Sequence, residues 1–251
     1  MVYPPGQGKS GEYLMDLWRR YLEQLAGKDG DPASQIVTAS YHAAELLGFL
    51  SLSLDRNRKY RSLILERIEC FHKFSAKAGS FEDCLVNASF AIYNHMNTLC
   101  HQFTGGNTSA AELVRSVDEQ VRTVVQRASQ VERATAALRA AFPLLSMMAL
   151  VLVQGTPATA AIRKVEERFA AGSGRSASDR DHLLNALYRL VEMMQLLVGL
   201  SDPELKDQVQ QIADVFKEED QTSDHLSKIR NGFCRLFELS HLLATHLDEV
   251  L

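Results

Sequence analysis

The stretch Ala140–Val153, "AAFPLLSMMALVLV", is the longest apolar run in the chain and contains no charged residue. A helix formed there would be hydrophobic on every side, which is typical of a helix at the centre of a bundle. The run is shorter than the roughly 20 residues that a membrane span needs. It therefore predicts a central, all-apolar helix and no membrane span. Pro143 is expected to bend or break the helical segment that contains it.

The rest of the chain has the same helical character. Apolar residues recur at spacings of three and four, and no stretch alternates as a strand would. Capping residues such as Asp31, Ser80 and Ser178 precede several of these segments. The sequence therefore predicts an all-α, multi-helix bundle of about nine or ten helices. The predicted helices cover roughly 11–27, 32–55, 59–78, 81–103, 109–141, 143–154, 157–171, 179–199, 203–219 and 222–250.

The segment Thr104–Ser109, "TGGNTS", is the clearest candidate for a boundary, because two glycines precede a capping residue. It predicts an N-terminal helical subdomain over 11–104 and a C-terminal one over 109–251, after a disordered N-terminus at 1–10. One continuous domain is the alternative.

Composition restricts the class of function. The net charge of −4 argues against a protein that tracks a nucleic-acid backbone. One short basic cluster, "DRNRKYR" at Asp55–Arg61, is expected to be a solvated loop or a contact for an anion. The four cysteines form no CxxC pair, and no apolar leader opens the chain, so the predicted location is the cytoplasm.

A coiled-coil spacing marks the predicted long helix over 109–141. Its apolar positions repeat in a 3-4-3-4 order, with charged residues between them. This heptad seam consists of Val114, Val117, Val121, Val124, Ala128, Val131, Thr135 and Leu138. Such a helix needs a partner along most of its length. That partner is either another helix of the same chain, or a second protein or second copy bound through self-association.

The N-terminal segment "PPGQGKS" ends like a phosphate-binding loop, at Gly8-Lys9-Ser10. That loop needs a glycine where Tyr3 stands, and it needs backbone amides that Pro4 and Pro5 lack. We therefore predict no nucleotide cofactor here, and Ser10 is expected to cap a helix instead.

Two Glu-x-x-His pairs, Glu69/His72 and Glu238/His241, match part of a di-iron bundle site. Placed on helices at about 100° per residue, both glutamates point away from the apolar stripe. Carboxylates on a solvent face cannot line a bundle core, so no metal or other cofactor is predicted. A bundle that binds a metal or a small apolar ligand remains a third hypothesis.

The segment Cys70–Phe90, "CFHKFSAKAGSFEDCLVNASF", resembles the histidine phosphotransfer family over about twenty residues. The resemblance implies a helical bundle that accepts a phosphoryl group on His72. Phe74, Ala78 and Gly79 fit the family's apolar and small positions. Ser75 and Ala76 depart from it, because they stand where the family has a lysine and a glycine.

The remaining candidates indicate no catalytic set. His95 lies on an apolar stripe and is expected to be a hydrogen-bonded core histidine, with a pH-sensitive or ligand role as the alternative. No serine or cysteine lies in a nucleophile motif. The sequence thus favours a non-enzymatic interaction or regulatory protein, of adaptor or scaffold type, that acts through helix–helix recognition. Phosphotransfer through His72 is the alternative.

Overall fold

The structure of this protein is a computed structural model. It describes residues 10–26, 31–126, 128–153, 156, 158–171, 178–222 and 224–250. These residues form ten α-helices and one short 3-10 turn. The all-α bundle is confirmed, because the structure is 88% helical and its described residues contain no strand. The glycine–lysine segment before Ser10 lies outside the described residues. The helices are α1 (Ser10–Ala26), α2 (Pro32–Leu54), α3 (Arg61–Ser75), α4 (Phe81–Phe103), α5 (Thr108–Val125), α6 (Gln130–Leu152), α7 (Thr159–Ala171), α8 (Asp179–Ser201), α9 (Lys206–Thr222) and α10 (His225–Val250), with the 3-10 turn at Pro203–Leu205.

The apolar run lies in α6, and α6 is central. It packs most extensively against α4 and α8, and also against α5 and α7. Contrary to expectation, the helix continues through Pro143. A proline inside a helix costs about 3 kcal/mol because it removes one backbone hydrogen bond. The residues on both sides, including Ala141, Leu144 and Leu145, are fully buried, and this packing offsets the cost.

The long helix expected over 109–141 is instead two helices, and the chain leaves helical geometry between Val125 and Gln130. A capping box starts α6. The Ser129 hydroxyl accepts the Glu132 N–H at 3.2 Å, and the Glu132 carboxylate accepts the Ser129 N–H at 2.6 Å. These bonds lower the pKa of Glu132. The break therefore lies at a Ser-x-x-Glu signal, before the proline.

Two described helices, α6 and α8, are long and apolar enough to cross a membrane. The apolar run was too short by itself, but α6 extends it on its N-terminal side. Of the most apolar 18-residue segment of each helix, 61% is buried inside the protein in α6 and 50% in α8. The core helices of a bundle pass the same test of length and composition.

Helices from both sides of Thr104–Ser109 contribute to one hydrophobic core. α4 packs along α6, and α2 packs along α10. In the connection itself, Gly105 and Gly106 have φ values of 64° and 70°, which glycine adopts most easily. The division into two subdomains stays a prediction.

Where α1, α2 and α10 meet, aromatic rings fill the space between the helices. We call Trp18, Tyr21, His42, Phe237 and His241 the aromatic corner. The Phe237 ring centroid lies 4.1 Å from that of Tyr21 and 5.6 Å from that of Trp18. His241 Nε2 donates to the Leu14 carbonyl at 3.2 Å. Burial is the main cause that lowers the pKa of both His42 and His241.

Candidate functional site: a groove between three helices

The seam valines of α5 divide between the core and the surface. Val114, Val117 and Val121 are buried on the side where α5 packs, mainly along α6. Val124 lies one turn after Val121 and keeps 40% of its surface exposed, while Leu113 is half-buried. The apolar stripe of α5 is therefore wider than the contact that covers it.

The uncovered edge of α5 lines a groove of about 850 Å³ between α5, α6, α7 and the first turn of α8. Apolar side chains supply most of its walls. Among them are Leu113, Val117 and Val124 from α5, and Phe142, Met147 and Leu150 from α6. A concave, mainly apolar surface with a few polar groups is the usual form of a binding site.

The groove exists because of how the neighbouring helices pack. α5 lies along α6, whereas α7 packs more extensively on α8 than on α6. Within the described residues, no helix fills the space above α6 between α5 and α7. Small side chains on α6, such as Ala136 and Ala140, line the groove without filling it.

Stacked phenylalanines join α6 to α7 inside the groove. The rings of Phe142 and Phe169 lie 4.0 Å apart with 11° between their planes. The Arg139 guanidinium lies 5.2 Å from the Phe169 ring centroid, a cation–π contact. Pro143, which also lines the groove, has no N–H to donate to the Arg139 carbonyl. This end of the groove is therefore apolar with a cationic edge.

A polar cluster holds α7 against α6. The buried Ser146 hydroxyl donates to Glu166 Oε1 at 2.6 Å, and Arg163 Nη1 donates to Glu166 Oε2 at 2.6 Å. Both oxygens of this carboxylate are thus engaged within the protein. The cluster is a structural link between helices, and it positions one wall of the groove.

Of the C-terminal half of the predicted seam, only Thr135 is among the residues that line the groove. Ala128 is half-buried in the link before α6, and Val131 is half-buried against the core. Thr135, which also lines the groove, and Leu138 are buried. The α7 side of the groove had no sequence signal, because Arg163, Glu166 and Phe169 acquire their roles only by contact with α6.

The two Glu-x-x-His pairs have other contacts. Glu69 is exposed on α3, Glu238 pairs with Arg235, and His241 belongs to the aromatic corner. Among the described side chains, no group of three or more His, Cys, Asp or Glu is close enough together to hold a metal ion.

His72, the candidate phosphoacceptor, is half-buried in the last turn of α3. Its ring centroid lies 5.6 Å from that of Phe71. Neither observation tests phosphotransfer, which stays a prediction.

His95 is a core residue, as its apolar stripe predicts, with 1% of its surface exposed. Its Nδ1 has no hydrogen-bond partner among the described residues, so the expected hydrogen bonding is incomplete. Burial, and then the charge of Arg67, lower the pKa of His95 to about 3. Gly48 allows the close approach, since a Cβ there would lie 3.1 Å from the His95 ring.

Comparisons with protein-family models, curated proteins and solved structures gave no match for this chain. The geometry alone thus defines the candidate site, which is an apolar groove on the surface of an all-α bundle.

Proposed function

We propose that this protein is a non-enzymatic interaction protein that binds an amphipathic helix of another protein in the groove between α5, α6 and α7. The observation that supports the proposal is the unfilled apolar space of about 850 Å³ beside Val124. The Val124 side chain is accessible to a partner, because 40% of its surface is exposed. Helix-in-groove binding uses apolar residues at helical spacing against such a surface.

The length of the groove suits a helix. Its α5 wall extends from Leu113 to Val124, about 16 Å at about 1.5 Å per residue. That distance equals about three turns, which is the length over which a helix presents apolar residues at positions i, i+3, i+4, i+7 and i+11.

Charged residues of both signs line the groove beside the apolar walls, including Glu132, Arg139 and Asp179. Charges around an apolar interface contribute mainly to orientation and specificity. The Glu166 carboxylate already accepts hydrogen bonds from Ser146 and Arg163, which favours a structural role over a catalytic one.

The test begins with a peptide library of about 16 residues per peptide, with apolar residues fixed at positions i, i+3, i+4, i+7 and i+11. Peptides selected on the wild-type protein are then measured by fluorescence anisotropy on Val124→Arg and on Val215→Arg. Val215, on α9, has a similar exposure of 45% but does not line the groove. We expect Val124→Arg to weaken binding at least about tenfold, and Val215→Arg to leave it unchanged.

Native mass spectrometry of the untagged protein distinguishes the other occupants. A small molecule retained by the wild type and lost from Val124→Arg would contradict the proposal and assign the groove to an apolar ligand. A dimer that Val124→Arg dissociates would contradict it in favour of a second copy. Peptides that bind both variants equally would also contradict it.

A further inference from the structure

The turn between α2 and α3 concentrates positive charge on a protein whose net charge is −4. Arg56, Arg58, Lys59 and Arg61 are all exposed, and no described side chain forms an ion pair with them. Asp55 is the only carboxylate between positions 55 and 65, and it is buried. We call residues 56–65 the basic tip.

The basic tip has a defined backbone. Both oxygens of the Asp55 carboxylate accept the Tyr60 N–H at 3.1 Å, and the Asp55 carbonyl accepts the Arg58 N–H at 3.0 Å. Arg58 has a φ of 55°, in the left-handed region. A residue other than glycine enters that region at a cost, so the surrounding bonds hold the turn in place. The cations are therefore presented from a fixed scaffold.

Aromatic contacts extend this scaffold. Lys59 Nζ lies 5.0 Å from the centroid of the Tyr60 ring, and Tyr60 stacks on His101 of α4 at 6.2 Å. The Gly106 turn lies beside them, since a Cβ there would be 3.5 Å from the Tyr60 hydroxyl. The basic tip is thus packed against the adjoining end of α4.

Exposed leucines lie next to the cations. Leu63 and Leu65, in the first turns of α3, are 39% and 38% exposed. They lie on opposite edges of the helix, because a separation of two residues is about 200°. The leucines therefore flank the N-terminal end of α3, where the basic turn also lies.

We propose that the basic tip binds the anionic surface of a membrane, with the cations at the headgroups and the two leucines in the interfacial layer. Polybasic segments are attracted to anionic lipids, and exposed apolar side chains add to that binding. A small phosphorylated ligand would need a concave site, and neither of the two cavities described for this chain includes these residues. An acidic protein surface would use the same cations, and its binding is one outcome of the test below.

The experiment is vesicle co-sedimentation of the full chain, in which neutral phosphatidylcholine vesicles are compared with vesicles containing about 30% phosphatidylserine. The charge variant is Arg58→Gly/Lys59→Gln, where glycine favours the same backbone conformation. The matched control, Arg115→Gln/Arg122→Gln, removes two exposed charges from α5. We expect the charge variant to bind anionic vesicles on the order of 30-fold more weakly than the wild type, and the control to bind like the wild type.

A second pair of variants tests the leucines. Leu63→Ser/Leu65→Ser is expected to weaken binding about tenfold without changing its salt dependence. Met15→Ser/Leu22→Ser, which alters two exposed apolar residues of α1, is expected to have no effect. Thermal unfolding by circular dichroism verifies that each variant is folded.

Three outcomes would overturn the proposal: equal binding to neutral and anionic vesicles, equal losses in the variants and their controls, or no vesicle binding at all. Binding of a poly-glutamate peptide in the absence of vesicle binding would assign the basic tip to an acidic protein instead.

Discussion

At the aromatic corner Phe237 is fully buried, with Trp18, Tyr21 and His42 around its ring. In the groove Val124 keeps 40% of its surface exposed beside an open volume of about 850 Å³. Both places are junctions of three helices in the same chain. At the corner, large rings from all three helices meet and exclude solvent. In the groove, Phe142 and Ser146 of α6 contact α7, while Val124 of α5 stays exposed beside the open space.

The difference between the two places lies in how completely the helices converge. At the aromatic corner, rings from all three helices meet, and close packing leaves no volume for a ligand. In the groove, α7 packs more extensively on α8 than on α6, so the side facing α5 keeps apolar surface that binding can still bury.

The largest effect is expected from truncation at the closed junction. Phe237→Ala should lower the free energy of unfolding by about 3–5 kcal/mol, because it leaves a cavity inside a rigid cluster. Val124→Ala should change it by less than about 1 kcal/mol, since that side chain is already exposed. Urea denaturation measures both values. Equal costs would show that the groove is as closed as the corner.

A charge introduced on successive turns of α5 should separate its buried positions from its exposed edge. Val121→Asp places a carboxylate at a buried position, although Val121 also lines the groove, and should destabilise the protein by about 3 kcal/mol or more. Val124→Asp should remain folded and lose the selected helical peptide. Urea denaturation and fluorescence anisotropy give the two readouts. If Val124→Asp unfolded as readily as Val121→Asp, the α5 edge would belong to the core.

Acidification should weaken the aromatic corner. The pKa values of His42 and His241 are lowered in the folded protein, mainly by burial. Their stabilising effect is therefore complete above the unfolded pKa of about 6.5 and declines as the pH falls below it, by at most about 1.4 kcal/mol per pH unit for each group. Trp18, the only tryptophan, reports on this corner by fluorescence.

We expect the urea midpoint followed by Trp18 fluorescence to decrease between pH 7 and pH 5, and to decrease less in His42→Gln/His241→Gln. His95, whose pKa is about 3, and His101, whose pKa is also lowered by burial, contribute in the same direction in both proteins and account for the residual slope. An unchanged slope in the double variant would contradict the assignment to the corner.

The smallest effect concerns the break that ends α5. Ser129→Ala removes the N-cap of α6 and should cost about 1 kcal/mol. Ser109→Ala, on an exposed serine inside α5, should cost less than about 0.5 kcal/mol, because Asn107 is the cap of that helix. Thermal unfolding compares the two variants. Equal effects would indicate that the capping box does not define the break.

The sequence contains the signal for the break between α5 and α6, but the break was predicted at the wrong place. The Ser129-x-x-Glu132 box is visible in the sequence, yet the uninterrupted heptad spacing around it predicted one long helix. Pro143 was expected to bend or break its helix, but the packing of Leu144 and Leu145 keeps α6 unbroken. Whether a helix breaks therefore depends both on local residues, such as caps and prolines, and on how deeply the segment is buried. Apolar periodicity alone does not predict that burial.

Helical periodicity and capping are properties of neighbouring residues, so they predicted the all-α class, most helix bounds and the central place of the apolar run. They also identified the valines of α5, without indicating which of them would be covered. Tertiary contacts leave Val121 buried and Val124 exposed, although both line the groove. That outcome depends on where α7 lies, and contacts between residues far apart in the chain, such as Phe142 with Phe169 and Ser146 with Glu166, place α7.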